Sequence, residues 1–212
     1  MMTTYLTSAY LPPVQYYTKF VADQKIVIEQ NDNYVKQTYR NRCSIVSANG
    51  SISLSIPVVH SSSEKTMTKD IRIAEHGNWQ HMHWNAIISA YNSTPFFEFY
   101  QDDFYPFFHK KIEFLFDFNT ELHSLILNLL NIDASDMVFT DNYKINFSDG
   151  EIDMREAIHP KKDWKTDTDF CPSPYYQVFD QKFGFIENMS IIDLLFNMGN
   201  ESLIVLKNSI RR

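Results

Sequence analysis

Hydrophobic and polar positions follow two periods along this chain. Residues 5–11, YLTSAYL, are strand formers with small residues between them, and Pro12-Pro13 stops the run. In residues 14–23, Val14, Tyr17, Phe20 and Val21 fall at helical spacing and predict a short helix. The apolar run KIVIEQ, 25–30, reads as a second strand. A β-α-β order with so short a connection predicts a parallel pair in an α/β layer. VKQTYRNRCSIV, 35–46, and SISLSIPVV, 51–59, flank Ala48-Asn49-Gly50, and Asn-Gly tolerates the positive φ angles of a tight hairpin.

Further along, 61–69 is a polar loop and DIRIAE, 70–75, alternates like a strand. Trp79, His83, Ile87, Ala90 and Tyr91 share a face of a helix over 79–91, which Asn92 to Pro95 ends. Residues 96–108 are dense in aromatics without a clear period. Residues 110–132 read as helical, with Asn119 or Thr120 an internal cap, and 137–141 as a strand. From 142 to 174 charge rises and periodicity fades, which predicts a long irregular segment. A helix begins at Ser190, whose spacing to Asp193 fits a capping box; Met198-Gly199 breaks it, and 201–206 adds a last helical turn or two. The whole predicts an α/β fold: a single domain over 1–212 with a mixed sheet, made of the N-terminal β-α-β and a β-hairpin, packed by helices, and a mostly helical C-terminal part.

Composition narrows the function classes. With 212 residues the chain can bury a real core without staples. Only five glycines are present, which nearly excludes a glycine-rich phosphate loop. The formal net charge of −7 argues against nucleic-acid binding, which rests on phosphate neutralisation. The two cysteines form no CxxC, and no signal peptide or membrane-length apolar run is visible, so a cytoplasmic protein with reduced thiols is expected. Aromatics at 15% predict either a large aromatic core or an apolar cleft with wet edges.

Several separated segments resemble one family. YLPPVQYYTKFVADQKIVIEQNDNYVKQTYRNRCSIVSANGSISLSIPV is similar to the opening of WbqC-like proteins, and WQHMHWNAIISAYNSTPFFEFY to their central segment. YYQVFDQKFGFIENMSIIDLLFNMG resembles the C-terminal signature of the branch found in Bacteroidetes-type bacteria. The resemblance implies a pathway context, O-antigen or other surface-polysaccharide biosynthesis. It implies a transferase role as well, with glycyl, other aminoacyl or acyl transfer to a sugar. It identifies no catalytic residue and no cofactor.

The residues themselves offer one constellation above the background. If 35–46 is a strand, Lys36, Thr38, Arg40 and Arg42 share one face, and Tyr39, Asn41 and Cys43 the other. Like charges at that spacing repel unless solvent or an anion intervenes. The pattern reads either as a solvated sheet face or as a cradle for a phosphate or carboxylate, with Arg as the fork and Lys as a point charge. Gln15 and Tyr16 open the first helix beyond the end of the first strand, where a helix N-terminus has N–H groups to offer an anion. Asp32 follows the second strand. Two strand ends therefore converge on a candidate pocket with Gln15, Tyr16, Lys36, Arg40, Asn41 and Arg42 as ligand-binding residues. Asp32 or His83 would move a proton. His81 and His83, two apart on a helix, point in opposing directions and do not make a metal site. Cys43 faces away from the cations and is a poor nucleophile candidate.

Two readings follow. In one, the protein is a group transferase with an anionic small-molecule substrate. In the other, it is a non-catalytic protein that binds a nucleotide or glycan precursor, or serves assembly. Convergence of Gln15, Asp32, Lys36 and Arg42 on one concavity favours the first. Their dispersal into separate bonds, with an exposed aromatic patch, favours the second.

Overall fold

Strand β1 (Met2–Thr7) lies parallel to β2 (Gln24–Glu29), Met2 opposite Gln24 and Thr7 opposite Glu29. The helix between them, α1 (Val14–Val21), buries Val14 and Tyr17 as its periodicity predicts. The computed structural model describes residues 2–22, 24–59 and 65–211. Asp23 of the predicted helix and residues 61–64 of the predicted polar loop lie outside them.

Two short strands complete the sheet. β5 (Val138–Phe139) pairs with β2, and β6 (Glu151–Asp153) pairs with β1, both parallel, giving the order β5-β2-β1-β6. A separate antiparallel hairpin is formed by β3 (Arg42–Ser47) and β4 (Gly50–Ser55), where Gly50 takes φ +98°. Parallel and antiparallel strands, helical packing and a helical C-terminal part within one domain are the architecture that the patterning predicts.

The helices are α2 (Trp79–Tyr91), α3 (Phe97–Phe104), α4 (Leu115–Leu129), α5 (Asp180–Phe183), α6 (Ile191–Met198) and α7 (Ser202–Asn208). The aromatic stretch 96–108 resolves into α3 and a 3-10 turn, Tyr105–Phe108. Phe97, Phe104 and Phe108 are buried while Phe99 faces out. Phe196 of α6 gathers the rings of Tyr91, Phe97 and Phe104 edge-on at 5.2–5.3 Å between centroids, a geometry that aromatic quadrupoles favour.

Five local expectations fail for physical reasons. The strand expected over 5–11 runs Met2–Thr7: Tyr10 N–H donates to the Tyr39 carbonyl and Leu11 takes φ +41°, so residues 8–11 leave the sheet before the prolines. Residues 35–41 are not strand. Thr38 Oγ1 bonds the Val35 carbonyl, Gln37 adopts φ +60°, and the strand starts only at Arg42. Lys36 and Arg40 therefore share no face: Lys36 is exposed and Arg40 buried. DIRIAE makes only isolated bridges, Val58 to Ile73 and Arg72 to Phe114, beside a 3-10 turn at Thr68–Asp70. α4 runs unbroken through Asn119, whose side chain turns inward instead of capping. Ser190 does not cap α6 either: its hydroxyl donates to the Leu11 carbonyl, and Asp193 accepts from Tyr91, Tyr175 and Gln177.

The end of α6 yields a test of packing. Gly199 sits at φ +54°, and a Cβ there would lie 2.5 Å from the Phe96 ring. Gly199→Ala must strain the backbone and displace that ring. A loss of about 1–3 kcal/mol in unfolding free energy is expected by urea denaturation.

Candidate functional site

All four strands of the sheet are parallel, so their carboxyl ends meet at one edge, where α/β proteins bind ligands. The chain beyond β2 supplies Asp32 and Arg40, and the chain beyond β6 supplies Arg155 and Glu156. Arg40 is only 1% exposed. Its Nε donates to Asp32 Oδ2 at 3.1 Å and its Nη2 to Glu156 Oε1 at 2.9 Å, with a second, shorter bond from Nη2 to Asp32 Oδ2. Burial pulls its pKa down, but Asp32 and Glu156 outweigh that and leave it above the ordinary value. Beside it, Arg155 forks Asp153 at 2.8 Å through Nε and Nη2 and reaches the fully buried Glu29 at 3.0 Å through Nη1. Glu29 also accepts from Thr140 Oγ1 and the Asn31 backbone. Acids and guanidiniums thus alternate along the carboxyl edge.

The remaining residues singled out in the sequence are distributed around this edge. Thr7 and Glu29 lie in register, so the strand ends converge as expected. The Tyr16 hydroxyl donates to the Thr7 carbonyl, and Thr7 Oγ1 donates to Asp32 Oδ2. Gln15 turns to a different cluster, donating to Asp167 Oδ2 at 2.8 Å beside the buried Lys19–Asp167 pair. The N–H groups opening α1 are occupied, Val14 N by the Met189 carbonyl and Gln15 N by Asn188 Oδ1, which leaves no anion seat there. Asn41 bonds the Ile56 carbonyl, and Arg42 bonds Ser55 Oγ at the surface. Asp32 and Arg40 are joined directly, and Tyr16 reaches them through Thr7. Gln15, Lys36 and Arg42 do not share their bonds. His83 is buried on α2, its Nδ1 at 2.9 Å from the Tyr10 hydroxyl and its ring against Trp79.

Buried polar side chains without a partner concentrate here. Among the described residues, the buried side-chain atoms with no protein hydrogen bond are Asp32 Oδ1, Tyr34 Oη, Asn41 Oδ1, Thr68 Oγ1, Asn119 Oδ1 and His123 Nε2. The first three belong to the 32–41 segment. The Thr68 backbone N–H donates to the Asp32 carbonyl, and Asn119 Nδ2 donates to the Arg40 carbonyl and to Ser8 Oγ. Folded proteins leave few such atoms, and each is ordinarily met by an ordered water, an ion or a ligand, or sits under strain. Asn119 and His123, one turn apart on α4, line a cavity of about 10 Å³ with Ser8, Tyr16 and Ile28, about the room of one water. Among the described residues no group of three or more His, Cys, Asp or Glu is positioned to hold a metal ion.

Sequence reasoning missed Asn119, His123, Arg155, Glu156 and the turn at 159–162. The one signal was the run REAIHPKK, 155–162, in which charges cluster inside the segment that lacks periodicity. The two buried histidines make a prediction. Burial lowers the pKa of His83 to about 4 and of His123 to about 3, so both are neutral near neutral pH. An unfolded histidine titrates near 6.5. Their contribution to stability is therefore complete above about pH 6.5 and is lost as pH falls toward those lowered values, at up to roughly 1.4 kcal/mol per pH unit for each. Urea unfolding curves between about pH 7 and 4.5 will show this slope, and His123→Phe will flatten it.

No curated protein and no solved structure matches this chain. A family profile does, over residues 7–163, from the end of β1 to just beyond the 159–162 turn, which takes in Asp32, Arg40, Asn119, Arg155 and Glu156. The segment 175–199 lies outside that match. With well over half its length matched, the chain belongs to the WbqC-like protein family.

Proposed function

We propose that this protein is a group transferase that moves a glycyl, other aminoacyl or acyl group onto a sugar during O-antigen or other surface-polysaccharide biosynthesis, with its reaction centre at Asp32. One observation carries the reading. Asp32 is 5% exposed; Arg40 and Thr7 hold its Oδ2, while its Oδ1 has no partner. A carboxylate anchored at one oxygen, with its other, buried oxygen unpaired, keeps a lone pair to accept the proton of an attacking amine or hydroxyl. Arg40 orients it and Glu156 balances the guanidinium. The new bond joins the sugar's nitrogen or oxygen to the acyl carbon, the proton passes to Asp32, and the leaving group departs from a tetrahedral intermediate. Arg42 or a backbone N–H near it would stabilise the oxyanion. His83, neutral and bonded to Tyr10, is the second proton carrier in this reading, with a supporting part only.

A second reading has its own observation. Gln15, Lys36 and Arg42 make separate bonds or face solvent rather than closing on Asp32. A protein that binds a nucleotide or glycan precursor without turnover needs no such closure.

The test is mass-spectrometric. Nucleotide-linked amino sugars are incubated with aminoacyl and acyl donors, and the sugar is examined for the mass of the transferred group. Asp32→Asn, provided it retains a cooperative melt, is expected to lower turnover by roughly 100-fold or more. Wild-type turnover in the folded variant would remove Asp32 from the chemistry. Binding without any mass gain would favour the precursor-binding protein.

A further inference from the structure

We propose that the turn His159–Lys162, together with Lys36, is a clamp for a phosphate or diphosphate group above the carboxyl edge of the sheet. The proposal deepens the reading above and rests on its placement of the site at that edge.

The geometry starts from two turns far apart in sequence. In the first, the left-handed Gln37 displays Lys36 and its own side chain outward. Left-handed backbone is uncommon for a residue other than glycine and marks places where the surroundings hold the chain in position. In the second, Lys162 N–H bonds the His159 carbonyl and Lys161 N–H bonds His159 Nδ1, which folds Pro160 tightly and sets Lys161 and Lys162 at the surface. The turns are tied together, because Lys161 Nζ donates to Gln37 Oε1. His159, Lys161 and Lys162 thus stand together on one turn, and the exposed Lys36 adjoins the Gln37 that Lys161 bonds, in a protein whose net charge is −7.

What lies beneath the patch matters as much. The charged groups acting on His159 are Glu156, Lys162, Lys161 and Arg40. Glu156 is the one acid among them, and it is bonded to Arg40. Arg40 is balanced by Asp32 and Glu156, so the positive charge added beside His159 is that of the exposed Lys161 and Lys162. Burial is the largest influence and lowers the proton affinity of His159; Glu156 comes next and raises it, and Lys162, Lys161 and Arg40 lower it further. A cluster of cations that disfavours its own protonation gains most from a dianion set among them. Arg40 and Arg42 also act on the buried Tyr34 hydroxyl, which has no partner. A sugar donor or acceptor activated by a nucleoside diphosphate carries such a dianion. Asp32, whose Oδ1 is unpaired, is joined through Oδ2 to the same Arg40 that Glu156 holds, so the phosphoryl clamp and the proposed base share one scaffold.

The experiment follows the His159 ring by NMR while inorganic pyrophosphate, and separately uridine diphosphate, is added across a pH series. Either ligand is expected to raise the His159 pKa by about one unit, because a bound dianion favours the imidazolium. The apparent affinity should fall as salt rises. The double variant Lys161→Ala/Lys162→Ala, whose lysines are exposed, should stay folded and bind at least about tenfold more weakly. Lys25→Ala/Lys207→Ala removes the same charge elsewhere and should leave binding unchanged. Equal responses to both ligands assign the site to phosphate chemistry alone. A stronger response to uridine diphosphate assigns it to a nucleoside diphosphate. An unmoved His159, or equal binding by the Lys161/Lys162 variant, overturns the clamp. No turnover enters this readout, so its failure is separable from that of the transfer assay on Asp32.

Discussion

A guanidinium sealed inside a protein must be paired, because an isolated buried charge costs far more than the fold can supply. Arg40 meets that demand with two carboxylates from opposite ends of the family-matched region, Asp32 and Glu156. Removing one member of a buried pair of this kind typically costs about 3–5 kcal/mol. The pairing fixes the turn at 35–41, because the chain must fold back for Arg40 to point inward. It also draws the stretch after β6 onto the sheet, where Arg155 repeats the arrangement with Glu29 and Asp153. The carbonyl of Arg40 receives Asn119 from α4, so helix and turn share the same anchor.

The tyrosines show where much of the aromatic content went. Tyr10 and Tyr17 hydroxyls meet buried histidines, Tyr16 meets the Thr7 carbonyl, and Tyr91 and Tyr175 converge on Asp193. Each ring fills the core while its hydroxyl satisfies a buried polar group that a phenylalanine would leave bare. Asp193 has no cation among the partners of its side chain; burial raises its pKa, and three neutral donors work against that. The hydrophobic core therefore holds buried polar groups whose bonds are set by tyrosine geometry.

The parts of the fold that were legible in the sequence are those set by local chemistry. α1 and β2 follow from period and the β3–β4 hairpin from Asn49-Gly50, whereas β1 was legible only in part, being Met2–Thr7 rather than 5–11. The parts that were not legible depend on distant partners. Arg40 looked like the middle of a cationic strand because its reason for being buried, Glu156, lies more than a hundred residues away. β6 is three residues, too short for any period to register, and exists because β1 has a free edge there. Asn119 resembled a cap because its residue type suits one; the inward bonds to Ser8 and Arg40 explain its place inside a helix. For the site, the convergence of the two strand ends could be read, whereas the contributions of α4 and the 155–162 stretch could not.

β1 is an inner strand whose two neighbours are made at very different times. β2 follows it at once, but β6 pairs Thr3 with Glu151. At a ribosome speed of about 5–20 residues per second, roughly 6–24 s separate the emergence of β2 from that of β6. Through most of that interval the nascent chain carries a parallel pair with both edges open, because β5, the other neighbour of β2, is also made late. Such an edge is an invitation to other strands, so a chaperone that shields nascent chains, or a slow rate of synthesis followed by rapid completion, should govern how much of this protein reaches its native state.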